Sequence, residues 1–97
     1  GDSVMPTNLT DVRQKIDAID KQMIGLMARR GEYVKLAAKF KTTEAEVAAP
    51  DRVAIVIEKV KKIATESGAD VVVVEQVYRK MIAEFIELER RELKERH

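Results

Sequence analysis

Arg30 and Lys41 stand eleven residues apart in a stretch free of proline. On a helix, eleven residues make about three turns, so the two cations would face the same way, roughly 16 Å apart along the axis. Two such groups can grip opposite ends of a small dianion. Arginine gives a two-pronged hold on a carboxylate, and lysine gives a compact, mobile charge. Arg13 lies seventeen residues before Arg30, about 25 Å away and rotated off that face. One chain cannot bring Arg13 and Arg30 to one small ligand, whereas a dimer with antiparallel long helices can lend Arg13 to the other site. Near the other end of the chain, Ile82, Ile86 and Glu89 fall at i, i+4, i+7, so a carboxyl closes an apolar stripe. A carboxyl buried there, beside developing negative charge, would be driven to its protonated form and could donate a hydrogen bond.

Each of these residues also has a plainer reading. An arginine in a helical seam can serve as a register or specificity device with its aliphatic stem packed. Glu89 opens the charged run Glu89-Arg90-Arg91-Glu92 and would then be a solvated helix end. Lys41 and Arg13 would be ordinary surface charges, and Tyr33 and the four methionines would be core. Spacing alone does not choose between these readings and names no reaction.

The elements that must position these residues are legible in the hydrophobic pattern. Val12, Ile16, Ile19, Met23, Leu26, Arg30, Tyr33, Ala37 and Phe40 alternate steps of four and three without a slip, the spacing of one continuous helical seam. Asn8 or Thr7 suits its N-cap and Asp11 its first turn. The pattern predicts a helix over about 8–41, roughly 50 Å long. Thr42 to Glu46 reads as a turn, with Thr43 and Glu46 in capping-box register. A second helix is expected over 50–67, with Pro50 at its first position, Val53, Ile57, Val60 and Ile63 or Ala64 inside, and Gly68 past its end. Four successive valines, Val71 to Val74, would read as a strand in isolation. Val74, Tyr78, Met81 or Ile82, Phe85 and Leu88 keep helical spacing after them, so a third helix is expected over 71–94, capped by Asp70. The fold class is all-α, a single domain over 1–97. Residues 1–7 are expected to be flexible or non-native, since Gly1–Val4 precede Met5.

Three helices of such unequal length make a poor monomer, because half of the long seam would face water. Pairing with a second copy removes that cost, so an intertwined homodimeric bundle is expected. The rival is a helical interaction module that lends its long helix to another protein. Eighteen basic and seventeen acidic side chains leave a formal charge of +1, which argues for no polyanionic partner, so no nucleic acid is expected. The chain has no cysteine, and its single histidine is His97. Thiolate nucleophiles, His-based triads and Cys/His metal sites are therefore excluded. No apolar run reaches the ~18 residues of a membrane span, and a cytoplasmic protein without cofactor or metal is the expectation.

Taken together, Asp11-Val12-Arg13, Ile16-Asp17, Ile19-Asp20, Ile24, Leu26-Met27 and Arg29-Arg30 resemble the first helix of the all-helical (type II) chorismate mutase family. The similarity runs from Leu9 to Glu89. Tyr33-Val34-Lys35, Phe40-Lys41, Glu44-Ala45 and Ala49-Pro50-Asp51-Arg52-Val53 look closer still to its isochorismate-pyruvate lyase branch.

The resemblance implies an intertwined helical dimer with two equivalent sites for a small dianionic substrate, chorismate or isochorismate. It implies that Arg13 from the partner chain and Arg30 bind the two substrate carboxylates. Lys41 would contact the ether oxygen of the breaking bond and a carboxylate, Arg52 would support the site or its covering loop, and Val34 and Ile86 would line its apolar wall. The reaction so implied is the rearrangement of chorismate to prephenate, with the lyase reaction as the alternative. Two positions depart from the family pattern. Glu89 stands where bacterial members usually have glutamine, so activity should require its protonated form. Ala49-Pro50 stands where mutases often carry an acid that meets the ring hydroxyl, which leaves chorismate and isochorismate both open as substrate.

Overall fold

A computed structural model describes residues 7–96. The expectation about residues 1–7 therefore falls, apart from Thr7, outside the described residues, as does His97. Four helices follow one another, α1 (Leu9–Ala38), α2 (Glu44–Ala48), α3 (Pro50–Ser67) and α4 (Val71–Arg96), with no strand among the described residues. Among the described residues no helix is long and apolar enough to cross a membrane. The chain divides into two compact units, one ending at Tyr33 and the other beginning at Val34.

The first unit holds most of α1. Asn8 caps it: the Asp11 N–H donates to Asn8 Oδ1 at 2.9 Å, and the Val12 N–H to the Asn8 carbonyl at 3.1 Å. Asp11 in the first turn complements the helix dipole. Among the described residues of this unit the helix has no second element on which to bury its seam. Ile16, Ile19, Met23 and Leu26 are half-exposed or more, and Tyr33 is 69% exposed. The assignment of Tyr33, Met23 and Met27 to a core is thus corrected for the single chain.

The second unit contains the core. Its apolar centre is Ala38, Val47, Ile57, Val60, Ala64 and Ile82, where α3 and α2 pack on α4. At its start α1 stops three residues short of the expected end. The N–H groups of Lys39, Phe40 and Lys41 donate to the carbonyls of Leu36, Ala37 and Ala38, an i to i−3 pattern that tightens the last turn and ends the helix. Lys41 is consequently a turn residue rather than a helix residue.

The expected turn after Lys41 contains the five-residue α2. Its N-cap is Thr43, whose Oγ1 accepts from the Glu46 N–H at 3.1 Å. Ala49 closes α2 and opens α3 in the left-handed conformation, φ 38°, and Pro50 takes the first position of α3, where its missing N–H costs nothing. On α3, Ile57, Val60 and Ala64 are buried and Val53 is half-buried, while Ile63 is exposed. Gly68 ends the helix at φ 74°, and the Ala69 N–H reaches back to the Ala64 carbonyl at 2.9 Å. The four valines are helical because Asp70 caps them: its Oδ1 accepts from the Val73 N–H at 2.9 Å.

Candidate active site

Glu89 is the one buried charged residue among the described residues, 4% exposed. It lies on α4 one turn beyond the half-buried Ile86. A carboxylate taken out of water needs a partner, and Lys41 provides it: Nζ donates to Glu89 Oε2 at 2.9 Å. The lysine side chain keeps about a quarter of its surface open, 24%, against 6% for Glu89. The pair therefore joins a sequestered carboxyl to an ammonium group that solvent, or a ligand, can still reach. The reading of Glu89 as a solvated helix end does not hold.

Lys41 stands beyond the last helical hydrogen bond of α1, and α2 and α4 hold the backbone around it. Glu46 Oε1 accepts from the Thr42 N–H at 3.2 Å and from the hydroxyls of Thr42 and Thr43 at 3.0 and 3.2 Å. These bonds, the one from the Thr42 backbone foremost, hold its carboxyl below the ordinary glutamate value of 4.5. Arg90 on α4 pairs with Glu44 on α2 and with Glu87. Its hydrogen bond to Glu44 is the main cause that raises its guanidinium above the usual arginine value. Arg96 Nη2 donates to the carbonyls of Ala38 and Lys41 at 3.1 and 3.2 Å. The capping of Thr43 by Glu46 was legible at short range. Arg90 and Arg96 were not, because 46 to 58 residues separate them from their partners and their charged run reads as a wet helix face.

The remaining predicted residues are placed as follows. Arg13 is exposed and Arg30 half-buried, both on α1 in the first unit. Val34 is half-buried at the start of the second unit, and Arg52 is exposed in the first turn of α3. Of the residues singled out from the sequence, the structure brings Lys41 and Glu89 into direct contact. Chemically this pair offers one fixed cation and a carboxyl that can add a second donor when it carries a proton, next to the aliphatic Ile86.

The chain is similar to an isochorismate pyruvate lyase of Pseudomonas aeruginosa, 39% identical over 80 residues that cover 82% of this chain and 79% of the relative. The family model described as chorismate mutase type II matches residues 12–90, from the first turns of α1 to the residue after Glu89. The match thus takes in the long seam, the Lys41 turn and the buried glutamate alike. The protein belongs to the type II chorismate mutase family.

Proposed function

We propose that the protein catalyses pericyclic chemistry on an enolpyruvyl ether dianion, and that its principal reaction converts isochorismate to salicylate and pyruvate. The Lys41–Glu89 pair, 2.9 Å apart with its carboxyl enclosed, carries the pericyclic reading. In such a reaction the ether C–O bond breaks as a ring hydrogen moves to the enolpyruvyl methylene, and negative charge collects on the departing oxygen. The protein can assist in two ways. It can hold the enolpyruvyl arm folded over the ring, for which Arg30, and Arg13 from a second copy of the chain, are assigned to the two carboxylates. It can also aim fixed donors at the oxygen, where one donor contributes ~3 kcal/mol. Lys41 Nζ is that donor. Glu89 becomes a second one when protonated, since an ionised carboxylate would repel the oxygen. Val34 and Ile86 supply apolar wall, and Arg52 supports the segment that covers the site.

The lyase reaction is placed first because the Pseudomonas aeruginosa relative bears that activity in its name and because Ala49-Pro50 supplies no acid for the ring hydroxyl of chorismate. The mutase reaction, the rearrangement of chorismate to prephenate, is the second reading. The family description favours it, and the same clamp and donors would serve it.

A homodimer belongs to the proposal. The seam of α1, with Ile16, Ile19, Met23 and Leu26 half-exposed or more, leaves large apolar side chains to water, and a second copy offers the matching seam. The deciding experiment gives the purified protein isochorismate, then chorismate, between about pH 5 and about pH 8, and identifies the products. Salicylate with pyruvate as the faster products establishes the lyase. Faster formation of prephenate establishes the mutase. Neither product at any pH overturns the enzyme reading in favour of a helical interaction or regulatory module.

A further inference from the structure

We propose that Arg96, in the last turn of α4, is a positioning residue for Lys41. The inference rests on the function proposed above only in making Lys41 the donor to the substrate; the geometry itself is independent of it. Lys41 follows the end of α1 by three residues and is the first residue after the tight turn of 39 and 40. A residue in that position has no helical hydrogen bond on its carbonyl, and its backbone would drift unless something outside the helix held it. Arg96 does so with a single nitrogen. Nη2 donates to the Ala38 carbonyl at 3.1 Å and to the Lys41 carbonyl at 3.2 Å, bracketing the turn on both sides.

The Ala38 carbonyl also accepts from the Lys41 N–H at 3.0 Å. The Lys41 N–H is thus tied to the Ala38 carbonyl, and the Lys41 carbonyl to the guanidinium that also donates to Ala38. The positive charge sits at the negative end of the α1 dipole, where it is favoured. On the same helix, two turns earlier, Glu89 holds the Lys41 side chain at 2.9 Å. The end of α4 therefore grips Lys41 twice, by its ammonium through Glu89 and by its backbone through Arg96.

An exposed arginine bonding to carbonyls adds little to global stability, so its consequence is geometric. A displacement of the donor by about 1 Å can cost on the order of a hundredfold in rate when the donor must meet one atom in the transition state. Lysine at 96 keeps the charge and can reach one carbonyl; alanine keeps neither.

The test compares the full chain with Arg96→Ala and Arg96→Lys, by amide hydrogen exchange without substrate and by turnover of isochorismate and chorismate. We expect exchange of the amides over 39–44 to quicken roughly tenfold in Arg96→Ala, with exchange across α3 and the middle of α4 unchanged. Turnover number is expected to fall about tenfold or more, with Arg96→Lys between alanine and wild type, and with no further loss when Arg96→Ala is added to Lys41→Ala. Unchanged exchange over 39–44 would overturn the inference whether or not the protein turns over either substrate. So would an active wild type matched in turnover number by Arg96→Ala, or a loss of protection spread evenly over α3 and α4. An inactive wild type sinks the proposed function instead, and the exchange data then judge Arg96 separately.

Discussion

Lys41 Nζ and Glu89 Oε2 meet at 2.9 Å although 48 residues of chain separate them. The carboxyl is almost wholly enclosed and the ammonium is not. This asymmetry distinguishes the pair from the surface ion pairs of the same chain, such as Lys80 with Glu84, whose partners are both open to solvent and contribute little. Each group depends on the other, and this dependence sets what substitution at either will do.

Lys41→Ala should abolish nearly all turnover and leave the protein folded. Removing the ammonium strands an enclosed carboxylate without its partner, a loss of about 3–5 kcal/mol. Urea unfolding and product formation on the same preparation check both halves. Normal activity in this variant would refute the placing of Lys41 at the reacting oxygen.

Glu89→Gln should move the best pH upward. The amide oxygen can still accept from Lys41 Nζ, and the amide N–H₂ donates at every pH, whereas a carboxyl donates only while protonated. Rate profiles of the two proteins between about pH 5 and about pH 8 make the comparison. Superimposable profiles would mean that protonation of Glu89 does not govern the reaction.

Arg13→Ala and Lys41→Ala should each be inactive alone and partly active when their subunits exchange. In a mixed dimer one site receives Lys41 from one chain and Arg13 from the other, and the second site has neither. With random exchange roughly a quarter of wild-type activity returns. Absence of recovery, with exchange proven by mass spectrometry of the mixed species, would argue against a site shared between copies.

Glu46→Gln should lower stability near neutral pH and make no difference in acid. The folded-state carboxyl of Glu46 is held below 4.5 by its bonds from Thr42 and Thr43. Its contribution is therefore fully present above the unfolded value and is lost as pH falls through the lower folded one. Urea midpoints for the two proteins should differ at pH 7 and converge in acid, as pH falls through the lowered folded value. A constant gap at all pH values would show that the charge on Glu46 does not hold the α2 cap.

The local elements were legible because their causes are local. Asn8, Thr43, Asp70, Pro50 and Gly68 act on backbone groups within a few residues, so their caps and stops could be read from neighbours in the sequence. The β-branched run Val71–Val74 looked ambiguous only when isolated from Tyr78, Ile82 and Phe85, whose period settles it as helix. The end of α1 was misjudged by three residues, since Phe40 continues the seam period while the backbone has already tightened into a turn. Hydrophobic period cannot distinguish a helix that continues from one that stops with the same residues in step.

The sequence by itself determined that the chain is helical and that it carries a long amphipathic seam with an arginine in it, and its family resemblance singled out Lys41 and Glu89 as candidate donors. It could do so because helix signals repeat at short range and because residue chemistry travels with the residue. Only the tertiary structure decided that Glu89 is enclosed, that Lys41 is its partner, and that Arg90 and Arg96 hold the turn between α1 and α2. Those facts depend on which turn of α4 lies against the end of α1. That register is chosen by the packing of Val47, Ile57, Val60 and Ile82 into one core, and no spacing along the chain records it.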